Sequence, residues 1–296
     1  FFSAPAITLA DSATLQLLGD EKDKYGRQRL WGSFGWGTAM FVLGFVIDKI
    51  KGYEVCGEVV SNNYTPGFYF FVVLMSCALI VATRFSFISK EQQPKSQAGG
   101  GLQLLRVLVT IRYLSFLFVA FFMGCGYGLI STFLYWHLED LGGPPSLFGI
   151  ASLIDHISEI ICYFQVGYLI QKVGHVPVLY LGLIGNIIRF LFISLLSNPW
   201  HVLPLEILQG ITHAAVWASC TSYVGKMAPP EYATSAQGVL QGLYHGLGRG
   251  CGAILGGILI HIYNTEVVFR SYGITCGVVL IVYFIINYIM GKNTTK

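Results

Sequence analysis

Charge is the scarcest thing in this chain. Of its 296 residues only 11% are Asp, Glu, Lys or Arg, against roughly 25% in an ordinary soluble domain. A water-soluble fold with 54% hydrophobic residues would have no surface on which to hide them. No basic stripe is present, which excludes nucleic acid as a partner. No CxxC pair or disulfide framework is readable either: six of the seven cysteines (Cys77, Cys125, Cys162, Cys220, Cys251 and Cys276) lie inside apolar runs, where a thiol packs as a small apolar group. HExxH, a phosphate-binding glycine loop and a nucleophile motif are all missing, so neither an enzyme nor a bound metal or cofactor is expected. The chain also opens directly in an apolar run, Phe1 to Leu18, with no basic leader. That start reads as the beginning of a fragment.

What remains is a series of long apolar runs. Spans are predicted at about 1–18, 31–49, 67–88, 108–136, 146–170, 176–197, 202–224, 235–263 and 269–290. A span of about 20 residues crosses the hydrocarbon core. In lipid the backbone must satisfy itself within each segment, so the runs are helices and strands are excluded. Nine spans place thirteen lysines and arginines on one side, from Lys22, Lys24, Arg27 and Arg29 to Lys292 and Lys296. The other side has three, Lys49, Lys51 and Arg270. The basic side is cytoplasmic by the positive-inside rule, and with it the C-terminus. The loop Ile50 to Pro66 then faces outward, and its Asn63-Tyr64-Thr65 is a glycosylation sequon on the modifying side. Asn293-Thr294-Thr295 matches too, but on the cytoplasmic side, and is expected to stay unmodified. Ser89 to Gly101 is polar, rich in Gln and Gly, and reads as a flexible cytoplasmic linker.

Ionisable groups inside a bilayer cost roughly 2.5 kcal/mol or more at a helix centre, so each needs a reason. Span 146–170 carries Asp155, His156 and Glu159, with Ser152 and Tyr163 on the same face. Span 202–224 repeats the pattern with Glu206, Gln209, His213 and Trp217. In span 235–263, Gln237, Gln241, His245 and Arg249 recur every fourth residue, beside a second line of Gly238, Gly242, Gly246 and Gly250 continued by Gly252 and Gly256. One line is expected to face a cavity and the glycine line to pack against a neighbour. Arg189, near Asn186, is expected to be a structural counter-ion for a carboxylate. Asp11 and Arg29 lie toward the cytoplasmic side, where a charge pair could act as a gate.

Several stretches carry a resemblance. Tyr25 to Gly37 (YGRQRLWGSFGWG), Ile157-Ser158-Glu159 and Thr234 to Gly238 (TSAQG) resemble the major facilitator superfamily. Within it they are similar to the branch of the nucleoside:proton symporters and the animal family of major facilitator domain-containing protein 6. Thr132 to Leu141 (TFLYWHLEDL) and Gly246 to Gly252 (GLGRGCG) resemble the animal family closely, and Gln171 to His175 (QKVGH) stands where the superfamily has its cytoplasmic motif. The resemblance implies an all-α membrane protein of twelve helices in two bundles, with substrate bound midway between them and alternating access. This chain would hold helices four to twelve, about nine in all. Residues 1–88 would be the last three helices of the N-terminal bundle, 89–107 the cytoplasmic linker, and 108–292 the six-helix C-terminal bundle.

Carried over residue by residue, the bacterial substrate and proton positions fall on Arg29, Ser33 and Glu159, with Trp36 at an aromatic position and His156 replacing a glutamine. The chain departs from the pattern at Gly124 and Tyr127 on helix seven, and at Ala214 beside His213 on helix ten. The pathway residues are therefore Arg29, Ser33, Trp36, Tyr127, Asp155, His156, Glu159, His213, Trp217, Gln241, His245 and Arg249. The first expectation is proton-coupled or facilitated transport of a small polar organic solute at the plasma membrane. Burial and a neighbouring cation would pull the proton affinity of Glu159 in opposite directions. The alternative is a receptor that keeps the transporter frame without moving solute and offers its outer loop to an extracellular protein.

Overall fold

In a computed structural model of the chain, residues 25–55, 58–84, 110–227 and 233–294 are described. They form α1 (Tyr25–Lys49), a hairpin of β1 (Lys51–Val55) and β2 (Glu58–Asn62), α2 (Thr65–Ala82), α3 (Ile111–Asp140), α4 (Pro145–Val173) and α5 (His175–Ile193). A 3-10 turn (Pro199–Val202) leads into α6 (Leu203–Met227). One rod follows, built from α7 (Ala233–Gln241), a π-helical stretch (Gly242–Gly248) and α8 (Arg249–Tyr263). The last element is α9 (Thr265–Thr294).

Seven of the described helices are long and apolar enough to cross a membrane. α6 has the length but not the hydropathy, because Glu206, Gln209 and His213 occupy its first half. It is held by burial instead, with Ala214, Val216, Ser219, Cys220 and Val224 sealed against its neighbours. The outer faces carry an apolar belt, with Phe68, Tyr168, Ile254 and Ile281 all more than 60% exposed. Such a surface belongs in lipid. The expected first span, residues 1–18, and the linker expected at 89–107 lie outside the described residues.

The exclusion of strands holds for the spans but not for the loop between α1 and α2. There β1 pairs antiparallel with β2, Tyr53 opposite Val60 and Glu54 opposite Val59. Val55, Val59, Val60 and Tyr53 favour extended backbone. Outside the hydrocarbon, water can satisfy the open edges that lipid forbids.

Short turns fix which helices are neighbours. Gly174, at φ 88°, ends α4 and lets α5 turn back at once. Asn264, at φ 80°, does the same between α8 and α9, a conformation that asparagine tolerates better than most residues. α4 packs against α1 on one side and α6 on the other, α5 lies between α6 and α9, and α3 runs along the rod. α2 touches α1 and buries no residue.

Lipid tails are as apolar as leucine, so packing and small residues hold these helices together. A Cβ on Gly44 would stand 2.8 Å from the Pro145 carbonyl oxygen and 3.0 Å from Gly149 Cα, so α1 and α4 touch backbone to backbone near the hairpin. Toward the other end of α1 they separate: nothing lies within 4 Å of a Cβ placed on Gly32 or Gly35, and Trp31 is 66% exposed.

The glycines of the rod correct the sequence reading. Of the line expected to pack, Gly238, Gly242, Gly246 and Gly250 meet nothing within 4 Å, whereas its continuation, Gly252 and Gly256, does press on Cys125 and Leu129 of α3. Gly248, which was not in the expected line, joins them against Phe121. Residues four apart drift by about 40° in an α-helix. The wider π turn opposes that drift and re-aims α8 beyond it.

Candidate functional site

Three close helix contacts build the site. On α6, a side chain at Gly210 would collide with the Asp155 carbonyl of α4, so the glycine lets the two helices meet. One turn further on, His213 Nδ1 reaches Glu159 Oε1 at 3.3 Å. On α3, Gly124 and Gly128 receive the backbone carbonyls of Tyr244 and Arg249 from the rod. Tyr127 lies between those glycines and stacks on His213, with centroids 5.0 Å apart and planes 16° from parallel. On α1, Gly37 abuts the side chain of His156, with 3.1 Å from a placed Cβ.

The depth of these groups is shared. Glu159 has fourteen residues of α4 on either side, Pro145 to Ser158 and Ile160 to Val173. His213 and Tyr127 stand within two residues of the middles of α6 and α3, while Ser33 lies nearer the Tyr25 end of α1. Polar side chains from separate helices thus converge near the midplane.

Glu159 is buried at 8% exposure, and besides His213 it interacts with the Ser33 hydroxyl of α1 and the nearby His156. His156 Nδ1 donates to the Ser152 carbonyl at 2.7 Å, which leaves Nε2 as the acceptor of the neutral ring. The ring is loosely stacked with Trp36 at 6.4 Å, and Trp36 is itself 62% exposed. On the rod, His245 Nδ1 donates to Gln241 Oε1 at 3.0 Å. Trp217 meets His245 edge-on at 4.6 Å, but at 7% exposure it backs that ring instead of offering an open wall. The Arg249 guanidinium stands 5.4 Å from the centre of the Tyr127 ring. Tyr244, which the sequence reading passed over, is buried and touches Tyr127, His213, Trp217 and His245. Its only sequence signal was adjacency to His245.

The side chain of Arg29 and the whole of Asp11, the expected gate, lie outside the described residues. Asp155 is 3.7 Å from His156 Nδ1 and lies within the electrostatic reach of Glu206, Arg189 and Glu159. A second polar cluster lies beyond it. There Arg189 of α5, at 2% exposure, donates to Glu206 Oε1 at 2.8 Å and to Gln209 Oε1. The single stripe read along α6 therefore splits: Glu206 and Gln209 close on Arg189, and His213 faces Glu159. A small internal cavity lined by Tyr127, Asn186, Arg189, Gln209 and His213 separates the clusters. Among the described residues no group of His, Cys, Asp and Glu is arranged to hold a metal.

Residues 1–271 match the family model described as the MFS_1 like family. The chain belongs to that family. Relatives within the major facilitator superfamily include domain-containing protein 6-like protein B of Xenopus laevis, 24% identical over 96% of this chain and 46% of the relative. The domain-containing protein 6-like protein of Mus musculus is 27% identical over 95% of this chain and 47% of the relative. The chain thus spans about half the length of these curated relatives. A maltose permease of Geobacillus stearothermophilus is 25% identical over 90% of the chain and 64% of the permease. Among solved structures, a crystal structure of the nucleoside transporter NupG superposes with a TM-score of 0.66 at 19% identity, covering 92% of this chain and 69% of that one. A mutant NupG gives 0.68 over 86% and 66%. At that identity the likeness fixes the fold: a partial major facilitator fold, all-α across the membrane.

Proposed function

We propose that this chain carries much of the solute pathway of a secondary transporter. It would move a small polar organic solute by alternating access in the plasma membrane, with proton coupling through Glu159 and a cytoplasmic C-terminus. Residues 1–88 and 108–292 would belong to two bundles joined by 89–107. The observation that carries the reading is the Glu159 carboxylate, met at mid-membrane by His213 of α6 and Ser33 of α1. A carboxylate shared by three helices is a costly feature in lipid. It can change its partner when a proton arrives, and changing partners changes how α1, α4 and α6 hold together.

The aromatic surround fits a solute with a flat face, since Trp36, Tyr127 and His156 offer ring surfaces around the carboxylate. The relatives named as permeases and transporters move small molecules across membranes, which agrees with this use of the fold. The test is uptake by the full-length protein at several external pH values. Glu159→Gln should abolish the pH dependence while surface expression stays normal. Uptake with an unchanged pH profile in that variant would remove the proton role, and no solute flux in the unsubstituted protein would remove transport itself.

A further inference from the structure

We infer that the pathway takes a planar organic anion of single negative charge, with Arg249 holding the charged end. This rests on the solute-pathway reading and narrows it to a chemical class.

Arg249 stands at the centre of its rod, with sixteen residues from Ala233 to Gly248 before it and fourteen from Gly250 to Tyr263 after it. Either end is on the order of 20 Å away at helical rise, too far for the side chain to reach the headgroups. The residue is nevertheless exposed, and it forms no ion pair with any described carboxylate. Arg189 shows the other solution, a guanidinium sealed against Glu206 and Gln209. An exposed cation at mid-membrane requires water around it and favours an anion beside it. The contact with Tyr127 uses the ring face and leaves the in-plane N–H donors unused. Those donors form a fork that matches the two oxygens of a carboxylate.

The neighbours define the rest of the ligand. Tyr127 lies beneath the guanidinium with His245 edge-on to it at 6.2 Å. Those rings would border the body of the ligand, which favours a flat one. Tyr127 also stacks on His213, which is bonded to Glu159. Through that stack the Glu159 carboxylate would disfavour a second anionic group on the ligand and would accept a hydrogen bond from a donor. A flat ring with a carboxylate at one end and a hydroxyl or amine at the other meets all three conditions.

The test uses three probes on one ring: 4-hydroxybenzoate, its uncharged amide 4-hydroxybenzamide, and the dianion terephthalate. Equilibrium binding is measured on the full-length protein in nanodiscs. The benzoate is expected to bind at least tenfold more tightly than either control. Arg249→Gln should weaken the benzoate at least tenfold and leave the amide unchanged, and Arg249→Lys should fall between. Equal binding of benzoate and amide by the unsubstituted protein would overturn the inference, as would an Arg249→Gln protein that keeps the preference. Because the first comparison needs no variant, it decides the matter even if the substituted proteins misfold. If none of the three probes binds while a neutral solute is still taken up with Glu159-dependent pH response, the anion class is wrong and the transporter reading survives. If Glu159→Gln leaves uptake unaltered, that reading fails on its own.

Discussion

Two polar clusters share helix α6, and they are built in opposite ways. Glu206 and Gln209 are closed on Arg189, each of the three under 8% exposed, with charge paired to charge at 2.8 Å. One turn along, His213 holds Glu159 at 3.3 Å among aromatic rings that are partly open, and Arg249 nearby has no carboxylate partner among the described residues. A sealed ion pair has little left to offer a ligand, although the buried Arg189 Nε finds no hydrogen-bond partner. A loosely paired set around open ring faces keeps its donors and acceptors for something that arrives. Sequence pattern alone cannot separate the two, since both appear as polar residues at helical spacing. Burial and pairing separate them.

The largest effect that could break this contrast is on folding. Removing one partner of a buried ion pair costs about 3–5 kcal/mol, because the other charge is left uncompensated. Arg189→Ala or Glu206→Ala should therefore lower thermal stability in detergent by an amount of that order, with a matching loss of surface expression. If either variant melted like the parent, the sealed cluster would not be structural.

Next in size is the helix contact under the site. Gly210→Leu has no room against the Asp155 carbonyl. It should push α4 from α6, separate Glu159 from His213, and cost about 1–3 kcal/mol by overpacking. Gly238→Leu, in open space on the rod, should leave stability nearly unchanged. Equal effects of the two would contradict the assignment of packing and open glycines.

His213→Ala removes a hydrogen bond to a charged acceptor, about 1.5–3 kcal/mol if the bond is sealed. Because the pair is long and partly open, we expect a loss at or below the lower end of that range, read as a small shift in melting temperature. The smallest effect concerns the outer loop. The Asn63 side chain is partly exposed and accepts the Thr65 N–H at 3.0 Å. Asn63→Gln should collapse a glycosidase-sensitive band on a gel without moving the melting temperature, and a band that never responds to glycosidase would show the sequon unused.

How much of this could be read beforehand depends on the kind of signal. The spans were legible because an apolar run has no alternative use in a chain with so few charges. The ends were less so: α1 begins at Tyr25, six residues before the predicted span, because polar Gln28 and Arg29 do not prevent a helix. The polar residues of the candidate site were visible as misplaced polarity, and the convergence of Ser33, Glu159, His213 and the Tyr127 ring follows the helix faces they occupy. The choice of packing glycines was legible only in part, at Gly252 and Gly256. The period along 238–256 could be seen, but the π turn that re-aims it at Gly242–Gly248 leaves no mark in a pattern of four. Nor did spacing show that Glu206 and Gln209 would close on Arg189 while His213, one turn on, would meet Glu159.

The most direct measurement sets Glu159→Gln beside Glu206→Gln in the full-length protein, following thermal unfolding and pH-dependent uptake for both. Glu206→Gln is expected to unfold at clearly lower temperature. Glu159→Gln should melt close to the parent and lose its response to pH. The reverse pattern, with Glu159→Gln unstable and Glu206→Gln stable but unresponsive, would assign the working site to the sealed cluster and contradict this account.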